Sequence, residues 1–153
     1  MEFALRAVTE EDYAWLWALK RQTMQPYVEQ TWGGWDEATQ ESFFRAHFVP
    51  ALMQVITVGG RDAGLLHVEP EPAALFLANI QILPEFQNHG VGTAVVRGVL
   101  NDARARGKPV RLQVLKTNHA ARRLYEQLGF RVTDLSGPHW QMSTAPLPVQ
   151  RQS

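Results

Sequence analysis

The segment Ile80-Gln81-Ile82-Leu83-Pro84-Glu85-Phe86-Gln87-Asn88-His89-Gly90-Val91-Gly92-Thr93-Ala94-Val95-Val96 decides how this chain is read. It opens as an apolar strand, stops at Pro84, crosses a polar loop with two glycines, and continues as a helix. Such a junction suits phosphate. The first backbone N–H groups of a helix have no partner inside it, and the helix dipole turns its positive end toward them. Gly90 and Gly92 carry no Cβ that would hold an anion away from those amides. Residues 87–93 are therefore expected to cradle a pyrophosphate with main-chain groups.

Two common phosphate loops are excluded by residue. A triphosphate loop needs Lys and then Ser or Thr after its last glycine, and here Thr93 and Ala94 follow Gly92. The dinucleotide fingerprint needs a third glycine where this chain has Val95. What is present is Gln-x-x-Gly-x-Gly, at Gln87, Gly90 and Gly92.

Composition narrows the field. The 153 residues suffice for one domain with its own core, expected over 1–145, with a frayed proline- and glutamine-rich tail at 146–153. The 15 basic and 15 acidic side chains balance, so nothing attracts nucleic acid or an anionic membrane. The absence of cysteine excludes disulfides, thiolate catalysis and cysteine metal sites. The first residues do not read as a signal peptide, and no apolar run approaches the roughly 20 residues that span a bilayer. The expectation is a soluble, cytoplasmic protein without a metal. Four of the five tryptophans lie between Trp15 and Trp35, more than a core of this size needs.

Outward from the central segment, 73–83 reads as a long apolar strand buried on both faces, central to its sheet. Upstream, 3–8 alternates like a strand, and Thr9 caps a helix that Pro26 is expected to end. Tyr27 to Trp35 then reads as a loop mixing aromatics, Glu29 and glycines, suited to a cationic amine. Asp36 caps a second helix carrying Phe43, Phe44 and Phe48, closed by Pro50. A hairpin pairs 52–58 with 62–68 across Gly59-Gly60. Downstream, the helix from Gly90 runs to about Arg106, with Val95, Val96, Val99, Leu100 and Ala103 inward and Gly107 as its stop. A strand at 110–114 completes a parallel strand–helix–strand unit. Asn118 caps a short helix ending at Gly129, and 130–135 and 139–144 form a last hairpin.

The helix after Asn118 carries a second pattern, Asn-x-x-Ala-x-x-x-Tyr-x-x-x-Gly-Phe, at Asn118, Ala121, Tyr125, Gly129 and Phe130. It begins 31 residues after Gln87, with one helix and one strand between. Together the two patterns, in this order, resemble the acetyl-coenzyme A segments of the GNAT superfamily of N-acetyltransferases. The resemblance implies an α/β (α+β) fold: a mixed sheet of about seven strands, about four helices, and a splayed parallel pair forming the acetyl-CoA cleft.

The resemblance also implies roles. Acetyl-CoA would be the co-substrate. Ile82 would exchange backbone hydrogen bonds with its pantetheine arm, and Gln87, Asn88, His89, Gly90, Val91, Gly92 and Thr93 would hold the pyrophosphate. Asn118 would contact pantetheine or a bridging water, and Lys116 or Arg122 could reach the 3′-phosphate. A backbone N–H near 80–82 would polarise the thioester carbonyl, and Tyr125 would protonate the leaving thiolate. The acceptor would be a primary amine of a small molecule or peptide, met by Glu29, Trp32 and Asp36. Relatives that carry a general base early on the central strand place a carboxylate there. This chain has Leu75-Phe76-Leu77-Ala78-Asn79, so Glu29, Asp36, His67, Glu69 and Glu71 remain candidates. A homodimer through the last hairpin is possible. The alternative is a GNAT-fold sensor or partner protein that binds an acyl-CoA without transfer.

Overall fold

A computed structural model of the chain describes residues 2–144. The elements are β1 (Ala4–Ala7), α1 (Tyr13–Trp32), α2 (Glu37–Ala46), β2 (Met53–Val58), β3 (Arg61–Pro70), β4 (Leu75–Ile82), α3 (Val91–Ala105), β5 (Val110–Leu115), α4 (His119–Gln127), β6 (Phe130–Asp134) and β7 (His139–Thr144). The seven strands run β1-β2-β3-β4-β5-β7-β6, with β4 and β5 parallel. The expected mixed sheet with four helices is therefore present. The expected tail, 146–153, lies outside the described residues. Two compact units make up the chain: residues up to 68 with 79–92, and residues 69–78 with those from 93 onward.

In the first unit α1 and α2 pack on the sheet. Leu16, Trp17 and Leu19 of α1 and Phe44 of α2 share a buried cluster with Val8, Met53, Val55 and Leu65. Aromatic rings lock the two helices together: Tyr13 meets Phe44 at 5.3 Å and Phe48 at 5.1 Å, and Trp17 stacks on Trp35 at 6.0 Å. Thr9 and Asp12 form the capping box expected before α1. Arg6 grips Asp12 and Asp62 together, which holds the Asp12 carboxyl below the usual carboxylate range.

Two expectations fail here. Pro26 does not end α1, which continues to Trp32 and stops at Gly33 in the left-handed conformation, φ 83°. Proline removes one intrahelical hydrogen bond, but Val28 beyond it is buried, so burial carries the helix through. Phe43 does not share the buried side of α2: it is 57% exposed, whereas its neighbour Phe44 is buried.

In the second unit β4 and β5 pair through Leu75↔Val110 and Phe76↔Arg111, and no further β4–β5 pair follows among the described residues. Arg111 binds both oxygens of Glu71, at 2.6 and 2.5 Å, and lies 4.0 Å from the centre of the Phe76 ring. β5 pairs with β7, and β7 with β6, both antiparallel. Only alternate residues of β4 (Leu75, Leu77 and Gln81) are fully buried, so the strand is not buried on both faces.

β4 carries one more residue than its partner β3. Glu71 N–H donates to Ala74 at one end, and Leu83 N–H donates to Ala63 at the other. Between these pairs lie seven residues of one strand, 64–70, and eight of the other, 75–82. The difference is a β-bulge in β4, which leaves main-chain groups outside the ladder. Gly64 marks its far side: a Cβ there would stand 2.2 Å from the Gln81 carbonyl oxygen.

Candidate active site

The loop after β4 is shaped by residues that adopt left-handed backbone. Asn88 has φ 64° and Gly90 φ 78°. Left-handed residues alternating with others turn successive N–H groups toward one side, making the concavity that anions occupy. Asn tolerates this conformation better than other residues with a Cβ, and glycine does so freely. Gln87 ties the loop to the strand it leaves, its Nε2 donating to the Ile82 carbonyl at 2.8 Å. In this state that carbonyl is engaged by the chain's own side chain.

Gly92 differs from Gly90. Its φ is not positive, and a Cβ built on it would meet only Ile82 Cγ1, at 4.0 Å. That is ordinary van der Waals contact, so neither backbone strain nor internal packing requires glycine at this place in the first turn of α3. A group outside the chain approaching the α3 amides would supply the reason.

In the second unit α4 starts at Asn118, whose Oδ1 accepts from the Ala121 N–H at 3.2 Å. Asn118 thus works as a helix cap, its Nδ2 hydrogens being what is left for a ligand. Tyr125 is half-buried, its ring edge-on to Phe130 at 5.5 Å. Burial pushes its phenol up to about 12. The proton therefore stays on oxygen throughout the neutral range. Complete transfer to a solvated thiolate, whose acid has a pKa of about 8.5, is uphill by roughly 5 kcal/mol. Tyr125 is accordingly suited to hydrogen-bonding a developing thiolate, and protonates it fully only as desolvation raises the thiol as well. The two cations considered for the 3′-phosphate are engaged internally. Lys116 donates to the Leu135 carbonyl, and Arg122 pairs with Glu126 at 3.4 Å and covers the Trp140 ring at 4.1 Å.

Of the expected acceptor residues, Trp32 and Asp36 line one cavity of about 430 Å³ with Val28, Gly34, Trp35 and Gln40. Glu29 does not line it, and its carbonyl receives the Gly33 N–H that ends α1. Trp32 is 57% exposed. Asp36 caps α2 by accepting from Thr39, and those hydrogen bonds hold its carboxyl below the usual range. No basic residue occupies the last turn of α1, so its negative dipole end at this cavity has no cation on the helix itself. Trp35 ends the aromatic segment read from sequence as suited to an amine, whereas Gln40, one turn into α2, was missed by sequence reading.

Among the candidate bases, Glu71 is committed to Arg111, which holds its carboxyl below the usual range and makes it a poorer base. His67 is buried at 2% exposure. Among the described residues no group of three or more His, Asp or Glu could hold a metal, and no helix is long and apolar enough to cross a membrane.

Residues 63–137 match the family model described as FR47-like protein. No curated protein matches the sequence. The PaiA N-acetyltransferase of Thermoplasma acidophilum, solved in complex with coenzyme A, is similar in structure, with TM-score 0.73 and 19% identity over 94% of this chain and 99% of that one. The ribosomal-protein-S18-alanine N-acetyltransferase of Escherichia coli gives TM-score 0.71 at 20% identity, covering 99% and 97%. Arabidopsis thaliana Naa50, solved with the bisubstrate analogue CoA-Ac-MVNAL, gives TM-score 0.63 at 15% identity, covering 95% and 99%. At these identities the likeness is one of fold.

Proposed function

We propose that this chain, which matches the FR47-like model over residues 63–137 and shares the fold of solved N-acetyltransferases, is an N-acetyltransferase of the GNAT superfamily that transfers an acetyl group from acetyl-CoA to a primary amine of a small molecule or peptide. The single observation that carries this reading is Gly92, a glycine with no reason inside the chain, beside a loop whose left-handed Asn88 and Gly90 turn amides to one side. Acetyl-CoA supplies an activated acetyl thioester. Residues 1–145 act as one catalytic domain. Gln87, Asn88, His89, Gly90, Val91, Gly92 and Thr93 hold the pyrophosphate, chiefly through main-chain N–H groups. Ile82 offers its backbone to the pantetheine arm, and Asn118 its free amide hydrogens. N–H groups released by the β4 bulge polarise the reacting carbonyl. Tyr125 donates a hydrogen bond to the departing sulfur.

The acceptor is a cationic or aromatic amine met by Trp32 and Asp36, with Glu29 on the neighbouring turn of α1. Replacing Trp32 by alanine raises KM for that amine about tenfold with little change in kcat; an unchanged KM removes Trp32 from the acceptor site. The protein works in the cytoplasm, without metal, nucleic acid or membrane, and β6 at the sheet edge offers a surface for a homodimer. A thiol-release screen over alkylamines, polyamines and peptides, run beside calorimetric titration with acetyl-CoA, tests the proposal. Binding with turnover supports it. Binding without turnover on any amine replaces it with an acyl-CoA sensor, and absence of binding removes the cradle.

A further inference from the structure

The chain has three lysines, Lys20, Lys108 and Lys116, and all three are half-buried. Lys108 donates to the Glu71 carbonyl at 2.8 Å, and Lys116 donates to the Leu135 carbonyl. Lys20, on α1, has no hydrogen-bond acceptor and no carboxylate partner among the described residues. Its Nζ instead lies 5.0 Å from the centre of the Phe43 ring and 5.6 Å from that of Phe44, both on α2. Ring faces attract a cation, but they do not take its three N–H groups as carbonyl or carboxylate oxygens do.

The charged groups of α2 are engaged elsewhere. Glu37 pairs with Arg21 at 3.4 Å, Glu41 accepts from Tyr13 at 3.4 Å, and Arg45 lies 3.6 Å from the centre of the Tyr13 ring. His47, just past the helix, lies against Phe43 at 4.2 Å. With no counter-ion to offset its removal from water, the Lys20 ammonium is held below its usual value. More of it therefore carries a free lone pair at a given pH. The nitrogen is also not sealed in: Phe43, the nearer of its two rings, is 57% exposed.

We propose that Lys20 is a self-modification site: its side-chain nitrogen, left without an acceptor over Phe43 and Phe44, takes an acetyl group from acetyl-CoA. The proposal goes beyond the transferase reading and rests on it only for the acyl donor. The lone pair of the neutral amine attacks the thioester carbonyl, the C–N bond forms as the C–S bond breaks, and coenzyme A leaves as thiolate. Of the two protons that the ammonium gives up, one ends on that thiolate and the other in solvent. The product is an uncharged amide on the same stem. It no longer bears the cost of a cation held from water between two helices.

The test needs only the wild-type protein. It is incubated with acetyl-CoA and digested after a fixed time, and acetyl occupancy at Lys20, Lys108 and Lys116 is read by mass spectrometry. Lys20 is expected to carry about fivefold more acetyl than either other lysine; occupancy at Lys20 equal to or below theirs overturns the proposal. A trace of acetic anhydride, which brings no coenzyme A, is expected to give the same ranking. A different ranking with the anhydride overturns the claim that the nitrogen itself is reactive. Lys20→Arg keeps the cation over the two rings and removes the nucleophile. It is expected to lose the acetyl group mapped to residue 20 without gaining one at Lys108 or Lys116, and a gain there of equal size overturns the selectivity. Labelling of Lys20 with no turnover of any amine removes the transferase reading and keeps this site, whereas amine turnover with Lys20 unlabelled removes this site alone.

Discussion

At the scale of single residues, two groups tie charge to measurable behaviour. Tyr125→Phe keeps the ring that packs on Phe130 and removes only the hydroxyl. It is expected to lower kcat about 100-fold, within the range for general-acid groups, while leaving acetyl-CoA affinity unchanged. Because burial lifts the phenol to about 12, no alkaline fall in kcat from Tyr125 is expected below pH 11 or so. Its share of stability is present below the unfolded value near 10 and is lost as pH rises toward 12. Glu71 works in the opposite direction. Arg111 depresses its carboxyl, so the pair stabilises the fold above the unfolded value near 4.3 and ceases to as pH falls through the lower folded value. With the two side chains 30% and 40% exposed, Glu71→Gln is expected to cost about 1 kcal/mol at pH 7. Denaturant unfolding of the two proteins should converge only once pH has fallen through the lowered folded value of Glu71; a gap that persists in stronger acid would place the stabilisation elsewhere.

At the scale of elements, the β4–α3 junction carries the account. Alanine in a helix is favoured over glycine by about 1 kcal/mol, and Gly92 has room for a Cβ. Gly92→Ala is therefore expected to raise the melting temperature slightly while weakening acetyl-CoA binding about tenfold. Unchanged affinity would mean that no ligand comes close to α3 there. The junction was legible in sequence because Pro84, the glycines and the apolar run each have a fixed local meaning. The bulge was not, although Gly64 inside a strand pattern was its signal: a lone glycine there often marks close backbone approach. Helix α1 was misread at Pro26 because the burial of Val28 beyond the proline is a tertiary fact that local propensity does not contain.

At the scale of the whole molecule, the order of strands and helices was legible because two short patterns, at 87–93 and 118–130, sit in a fixed order with one helix and one strand between. The cavity at the end of α1 was partly legible: Trp32, Trp35 and Asp36 of the segment read from sequence line it, Gln40 came from the fold, and Glu29 lies outside. Burial of His67 and Gln81 was invisible, since nothing in β3 or β4 distinguishes a buried polar residue from an exposed one. Binding should also show globally. Acetyl-CoA at 100 times its dissociation constant is expected to stabilise the fold by about 2.7 kcal/mol, with a matching rise in melting temperature.

The central claim is that this chain binds acetyl-CoA through 87–93 and passes its acetyl group to an amine. Calorimetric titration with acetyl-CoA, comparing wild type with Gly92→Ala, tests it most directly. The account predicts one site per chain in the wild type and about tenfold weaker binding in a variant at least as stable. Equal affinity in both proteins, or no heat in either, would contradict it.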